Sequence, residues 1–144
     1  NQHLDLKKGH LKAGDILITT RGEIGQVALV PDTFIDANIN AQLVRVNTLR
    51  IMNNRFLLNY LTSEKAKADI KSLETGTALK QLPVGKLGQM NIPLPPLPEQ
   101  HKISEILSEV NSKIEAEQTY KAELEQLKKG LMQVLLTGKV RVKV

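Results

Sequence analysis

Met90-Asn91-Ile92-Pro93-Leu94-Pro95-Pro96-Leu97-Pro98 divides the chain into two parts that follow different periodicities. Pro93, Pro95, Pro96 and Pro98 each fix φ and lack an N–H, so the stretch is not helical and predicts a stiff, extended passage across a domain boundary. Pro98 also suits a first helical turn, and Glu99 complements the positive end of a helix dipole. No proline follows.

Beyond the boundary, apolar residues recur at Ile103, Leu107, Val110 and Ile114, and again at Tyr120, Leu124, Leu127, Leu131 and Val134. Both groups alternate steps of four and three, the spacing of a coiled-coil seam, with Glu117 where the repeat slips. A helix from Pro98 to Thr137 is about 60 Å long at about 1.5 Å per residue, and Gly138 is placed to end it. A stripe of that length needs a long partner. The alternative is a hairpin reversing near Gln118-Thr119.

Before the boundary the chain reads as strands separated by turns. Ile16-Leu17-Ile18-Thr19-Thr20, Gln26-Val27-Ala28-Leu29-Val30 and Ala41-Gln42-Leu43-Val44-Arg45-Val46 are short runs rich in β-branched residues, broken by Gly22, Gly25 and Pro31-Asp32. From Asn54 to Ser72, Phe56, Leu57, Tyr60, Leu61, Ala68 and Ile70 keep helical spacing, with Lys65, Lys67 and Lys71 toward solvent. Thr75-Gly76-Thr77-Ala78 predicts a loop. The fold class expected is α+β: a small, mainly antiparallel sheet with helices, followed by one long coiled-coil helix.

At 144 residues the chain holds one domain and an appendage. The absence of cysteine excludes disulfides and thiolate metal sites and suits a reducing compartment. No run approaches the roughly 18 apolar residues of a membrane span, so the expectation is a soluble, cytoplasmic protein. The chain opens on Asn1 rather than methionine, which suggests a processed or truncated piece of something longer. Its net charge of +5 divides into +4 for residues 1–96, −2 for 97–138 and +3 for 139–144. A basic globular part suits a polyanionic partner.

Catalytic constellations are scarce. His3, His10 and His101 are too scattered for a helical metal-binding pair, and no nucleophile elbow is present. Gly85-Lys86 and Gly138-Lys139 lack the upstream glycine and hydroxyl of a phosphate-binding loop. Pro31-Asp32 with Asp69-Ile70-Lys71 superficially matches a metal-dependent nuclease pattern, but that chemistry needs the acids on neighbouring strands and Asp69 falls in a predicted helix. Asn91-Ile92-Pro93-Leu94 lacks the aromatic with which amino-methyltransferases stack a flipped base. Phe34, Phe56, Tyr60 and Tyr120 are too few and scattered for single-strand stacking platforms. Duplex DNA is read instead by Arg, Lys, Asn, Gln, Ser and Thr at base edges. Loops supply these at Thr20-Arg21, Asn38-Ile39-Asn40-Ala41-Gln42, Thr75-Gly76-Thr77 and Lys80-Gln81.

Four stretches in this order resemble the specificity subunit of type I restriction-modification enzymes: Leu17-Ile18-Thr19-Thr20-Arg21-Gly22-Glu23-Ile24-Gly25, Asn54-Arg55-Phe56-Leu57-Leu58-Asn59-Tyr60-Leu61, Gly76-Thr77-Ala78-Leu79-Lys80-Gln81-Leu82 and Pro93-Leu94-Pro95-Pro96-Leu97-Pro98-Glu99-Gln100. Leu136-Thr137-Gly138-Lys139-Val140-Arg141 is similar to that family's C-terminal tail. The resemblance covers essentially the whole chain, and its most specific element is the proline stretch running into Glu99-Gln100. It implies a shortened target recognition domain at 1–92, a proline linker at 93–98, a pairing helix at 98–138 and a basic tail at 139–144. It further implies a non-catalytic DNA-reading subunit whose helix packs antiparallel against an equivalent helix. The implied partners are double-stranded DNA, methyltransferase subunits that carry S-adenosylmethionine, and restriction or translocase subunits; no cofactor is expected on this chain itself. Since one helix is present, a homodimer imitating the whole subunit is expected.

The candidate DNA contacts are Arg21, Asn38, Asn40, Thr77, Lys80 and Gln81, with Lys86 as a phosphate clamp. The candidate pairing face is Ile103, Leu107, Val110, Ile114, Leu124, Leu127, Leu131 and Val134. The alternative function is an assembly module in which only the coiled coil acts.

Overall fold

A computed structural model describes residues 10–33, 39–48 and 50–143. Three strands, β1 (Ile16–Thr19), β2 (Val27–Leu29) and β3 (Leu43–Val46), form an antiparallel sheet in the order β2-β1-β3. β1 is central because it pairs with both neighbours, and alternation decides which of its faces is buried. Ile16 and Ile18 point one way and are almost completely buried, while Leu17 and Thr19 on the other face are half-exposed. Ile16 pairs with both Leu29 and Val46, and Ile18 with Val27 and Val44, so branched side chains lie side by side across the buried face.

The helical region contains two helices, α1 (Asn54–Leu61) and α2 (Glu64–Leu73), where the apolar spacing predicted one. The break has a local cause. Thr62 turns its hydroxyl back to the Leu58 carbonyl at 2.9 Å, and Ser63 caps a new helix by accepting from the Ala66 N–H at 3.3 Å. The new phase buries Ala66 and leaves Ala68 exposed, reversing the predicted role of Ala68. Leu57, Leu61 and Ile70 then complete the core with Ile16, Ile18 and Leu82. A short helix, α3 (Val84–Leu87), follows Pro83.

The proline segment leads into α4 (Leu97–Leu135), a single helix of 39 residues and about 58 Å. It is unbroken at Gln118-Thr119, which removes the hairpin alternative. Gly138, at φ 72°, helps terminate it, together with Val140 N–H donating to the Val134 carbonyl at 3.1 Å.

The chain divides into two compact units, residues 1–104 and 105–144, so the first turns of α4 belong to the globular unit. They are held there by Gln100, whose side chain is fully buried. Its Nε2 donates to the carbonyls of Ile51 (3.0 Å) and Pro95 (2.7 Å), and its Oε1 accepts from the Asn53 N–H (2.7 Å). Asn53 itself caps α1 by accepting from the Phe56 N–H at 2.9 Å, and also accepts from the Ser104 hydroxyl at 3.3 Å. One amide therefore ties together the N-terminus of α1, the proline segment and the start of α4.

Candidate functional site

β1 ends by feeding Thr20 into a buried position. Its N–H and hydroxyl both donate to the Gln42 carbonyl, at 2.7 and 3.0 Å, while its own carbonyl accepts from Leu82 N–H at 2.9 Å. Thr20 thus brings the approach to β3 and the loop after α2 to one end of the sheet. Arg21 lies in a β-bridge with Gln81, and Gln81 exchanges both backbone hydrogen bonds with Thr75 at 2.9 Å. Arg21 and Gln81, sixty positions apart, become neighbours on an exposed edge.

The loop closed by Thr75 and Gln81 turns on Gly76, which sits at φ 92°; a Cβ there would lie 2.5 Å from the Leu79 carbonyl oxygen. Only glycine fits without displacing backbone. The turn presents Thr77 and Lys80 to solvent, with the Lys80 ammonium 3.4 Å from the largely buried Glu74 carboxylate. That pair steadies Lys80 at the base of the loop. Asn40 accepts from the Gln42 N–H at 3.0 Å, a local turn that places it just before β3, at the same end of the sheet as Arg21.

Of the candidate DNA contacts, Arg21, Asn40, Thr77, Lys80 and Gln81 therefore share one end of the sheet and its adjoining loops. Lys86 is exposed on α3, five positions beyond Gln81, and among the described residues no hydrogen bond or ion pair of its side chain ties it to the others. Asn38 lies outside the described residues. Thr75, Thr20 and Gln42 were not singled out by sequence as positioning residues; their signal is pairing between segments far apart in the chain.

The chemistry available is hydrogen bonding and charge. Asp69 lies on α2, paired with Lys65 at 2.8 Å; that carboxylate holds the Lys65 ammonium above its ordinary pKa. Asp15, almost fully buried, accepts from Lys12 N–H at 2.8 Å and lies 3.6 Å from the Arg45 guanidinium, a structural pairing beneath the sheet. Among the described residues no group of three His, Cys, Asp or Glu side chains could hold a metal. A recess of about 400 Å³ beside β3 is walled mainly by apolar side chains, among them Ile18, Val44, Leu57, Leu61 and Met90, with Arg45 and Asn47 as its polar lining.

On α4, Leu107, Val110, Ile114, Leu124, Leu127 and Leu131 are each 39–58 % exposed, while Ile103 and Val134 are half-buried. Leu124, Leu127, Leu131, Met132, Leu135 and Leu136 line a nearly wholly apolar groove near its C-terminal end. Among the described residues no helix is long and apolar enough to cross a membrane, so this is an apolar stripe along a charged helix.

The chain is thus an α+β domain that gathers polar loop residues at one end of an antiparallel sheet, followed by a long helix with an exposed heptad seam. Residues 5–126 match the type I restriction modification DNA specificity domain, and the chain belongs to that family. It is 36 % identical over 129 residues to a Methanocaldococcus jannaschii protein assigned as the type I restriction enzyme MjaX specificity subunit, covering 90 % of this chain and 29 % of that one. With the MjaVIII specificity subunit of the same organism it shares 33 % identity over 138 residues, or 92 % of this chain and 32 % of the relative. The chain thus spans about a third of the length of these relatives.

Two solved structures share the fold. One belongs to a study of complex assembly and conformational transition of the type I R-M system, at TM-score 0.75 and 23 % identity, covering 90 % of this chain and 31 % of that one. The other is the HsdS subunit from Thermoanaerobacter tengcongensis, at TM-score 0.68 and 21 % identity, covering 90 % and 34 %.

Proposed function

We propose that this chain reads duplex DNA and organises a type I restriction-modification assembly, contributing no catalytic group of its own. The observation that carries the reading is the convergence of Arg21, Asn40, Thr77, Lys80 and Gln81 at one end of the sheet, on a part of the chain with net charge +4. Arg and Gln offer paired donors and acceptors to base edges, while Lys80 and Lys86 offer charge to phosphates. Asn38 belongs to the same set by its place in sequence. The seam of α4 pairs antiparallel with an equivalent helix, in a homodimer of this chain. Methyltransferase subunits, which hold the S-adenosylmethionine, and restriction subunits assemble on that scaffold.

The test is duplex binding at about 50 and about 200 mM salt. Lys80→Ala is expected to weaken binding across sequences and to reduce the salt slope by about one unit, as loss of one phosphate contact requires. Unchanged affinity and slope would remove Lys80 from the interface. A second reading, a coiled-coil assembly module without independent DNA binding, draws on the exposed seam; a chain that pairs but ignores DNA at low salt would select it.

A further inference from the structure

We propose that a second copy covers the α4 seam in one register, with the two-fold axis of the antiparallel pair passing through Glu117, and that Glu117 is the residue that fixes that register. The proposal rests on the pairing reading above and adds its geometry.

In an uninterrupted heptad the steps alternate between three and four, so the pattern around any seam residue is lopsided. Around Glu117 it is symmetric. Ile114 and Tyr120 lie three residues to either side, Val110 and Leu124 seven, Leu107 and Leu127 ten, and Ile103 and Leu131 fourteen. The slip in the repeat is what creates this symmetry, because it puts a step of three on each side of Glu117. When the helix is reversed about that residue, its seam falls on itself. Ile103 meets Leu131 of the other copy, Leu107 meets Leu127, Val110 meets Leu124 and Ile114 meets Tyr120, each twice. Shifting the pair by one heptad instead sets Glu117 against Leu124 and Tyr120 against Lys121, or Glu117 against Val110 and Ile114 against Lys113. Either shift buries Glu117 against an apolar side chain at two places in the dimer, which is unfavourable without a partner charge, and leaves Tyr120 or Ile114 level with a flanking lysine instead of an apolar partner.

The flanking charges agree with the central register. Lys113 of one copy lies beside Glu123 of the other on one flank of the seam, and Lys121 lies beside Asn111 on the opposite flank; no like charges face each other there. Each Glu117 also has Lys113 and Lys121 one turn away on its own helix, Lys121 lying 3.8 Å from Glu125 in the single chain, so four lysines are within reach of the two carboxylates at the axis. A single polar layer in an otherwise apolar seam selects register at some expense of stability.

The chain contains no cysteine, so single-cysteine variants of the full chain report this geometry directly. A disulfide needs Cα atoms within about 7 Å. Under mild oxidation Glu117→Cys is expected to cross-link to itself. Val110→Cys and Leu124→Cys are each expected to remain uncross-linked alone and to form a heterodimer when mixed. Self-linking of Val110→Cys and Leu124→Cys would mean a parallel pair and overturn the proposal. Failure of both Glu117→Cys alone and the Val110→Cys plus Leu124→Cys mixture, in a chain that sediments as a dimer, would refute this register while leaving pairing intact. A native chain that stays monomeric at tens of micromolar would refute the pairing itself.

Discussion

Replacing Gln100 by leucine removes a buried amide that satisfies three backbone groups at once, the Asn53 N–H and the carbonyls of Ile51 and Pro95. Leucine keeps most of the volume, so packing changes little and hydrogen bonding carries the effect. A buried backbone group left without a partner costs about 1–3 kcal/mol. Ile51 is itself substantially exposed, so water recovers part of that carbonyl's loss. The net cost is then about 3–5 kcal/mol, a fall in Tm of about 12–20 °C at about 4 °C per kcal/mol for a domain of this size. Gln100→Glu separates the chemistry from the shape. A carboxylate oxygen would face two carbonyl oxygens, so the folded-state pKa of the introduced acid is raised above the unfolded value of about 4.3. The native state then binds more protons than the unfolded one, and stability falls as pH rises from about 4.3 through the folded pKa. Relative to the wild-type chain, the leucine variant's deficit stays flat over that range. Thermal melts of both variants between pH 4 and 7 make the comparison. A leucine variant losing less than about 1 kcal/mol, or a glutamate variant whose deficit ignores pH, would refute the assignment of Gln100 as the joint.

Gly76→Ala places a Cβ 2.5 Å from the Leu79 carbonyl oxygen at a φ of 92°, so it is expected to cost about 1–3 kcal/mol. Amide exchange at Thr75 and Gln81 should accelerate with it; unchanged protection would mean that the loop has another way to turn. Leu124→Glu is expected to dissociate the helical pair, seen by sedimentation, while the melting of the globular unit stays within about 0.5 kcal/mol because Leu124 is 46 % exposed in the single chain. Glu117→Leu is expected to tighten the dimer about tenfold or more and to blur its cross-linking pattern over several registers, following the behaviour of other polar seam layers; weaker dimerisation would show that the axis is elsewhere.

The parts of this fold legible in sequence are those whose cause is local. The 4–3 spacing of α4 is a property of one element, and so is the alternation that buries Ile16 and Ile18. The second helix start was hidden because Leu61 and Ala68 keep a helical spacing across the break; Ser63, a capping residue immediately before Glu64, was the available signal. Gln100 was legible as part of a motif but not as a joint, because its partners at Ile51 and Asn53 lie nearly fifty residues away and only the fold brings them together. The candidate site divides the same way. Polar loops were visible in composition, whereas the adjacency of Arg21 to Gln81 depends on Thr20 binding Gln42 and Leu82, a non-local arrangement that no periodicity announces.

The joint at Gln100 and the axis at Glu117 matter to each other because a helix converts residue count into distance. Seventeen residues separate them, about 25 Å at 1.5 Å per residue, so in an antiparallel pair the two joints lie about 50 Å apart along the helices. A slip of one heptad would change that separation by about 10 Å, close to three base pairs at about 3.4 Å each. If each globular unit reads its own stretch of duplex, such a slip alters the spacing between the two stretches and rotates one relative to the other by about a quarter of a helical turn. An apolar seam of uniform heptads would tolerate that slip at modest cost, since leucine against leucine is much the same one heptad along. A charged residue at the centre of a palindromic seam would not. In the proposed pair, stability lost at the Glu117 layer would thus be exchanged for a fixed distance between the two joints, which is what reading two separated sequences would require.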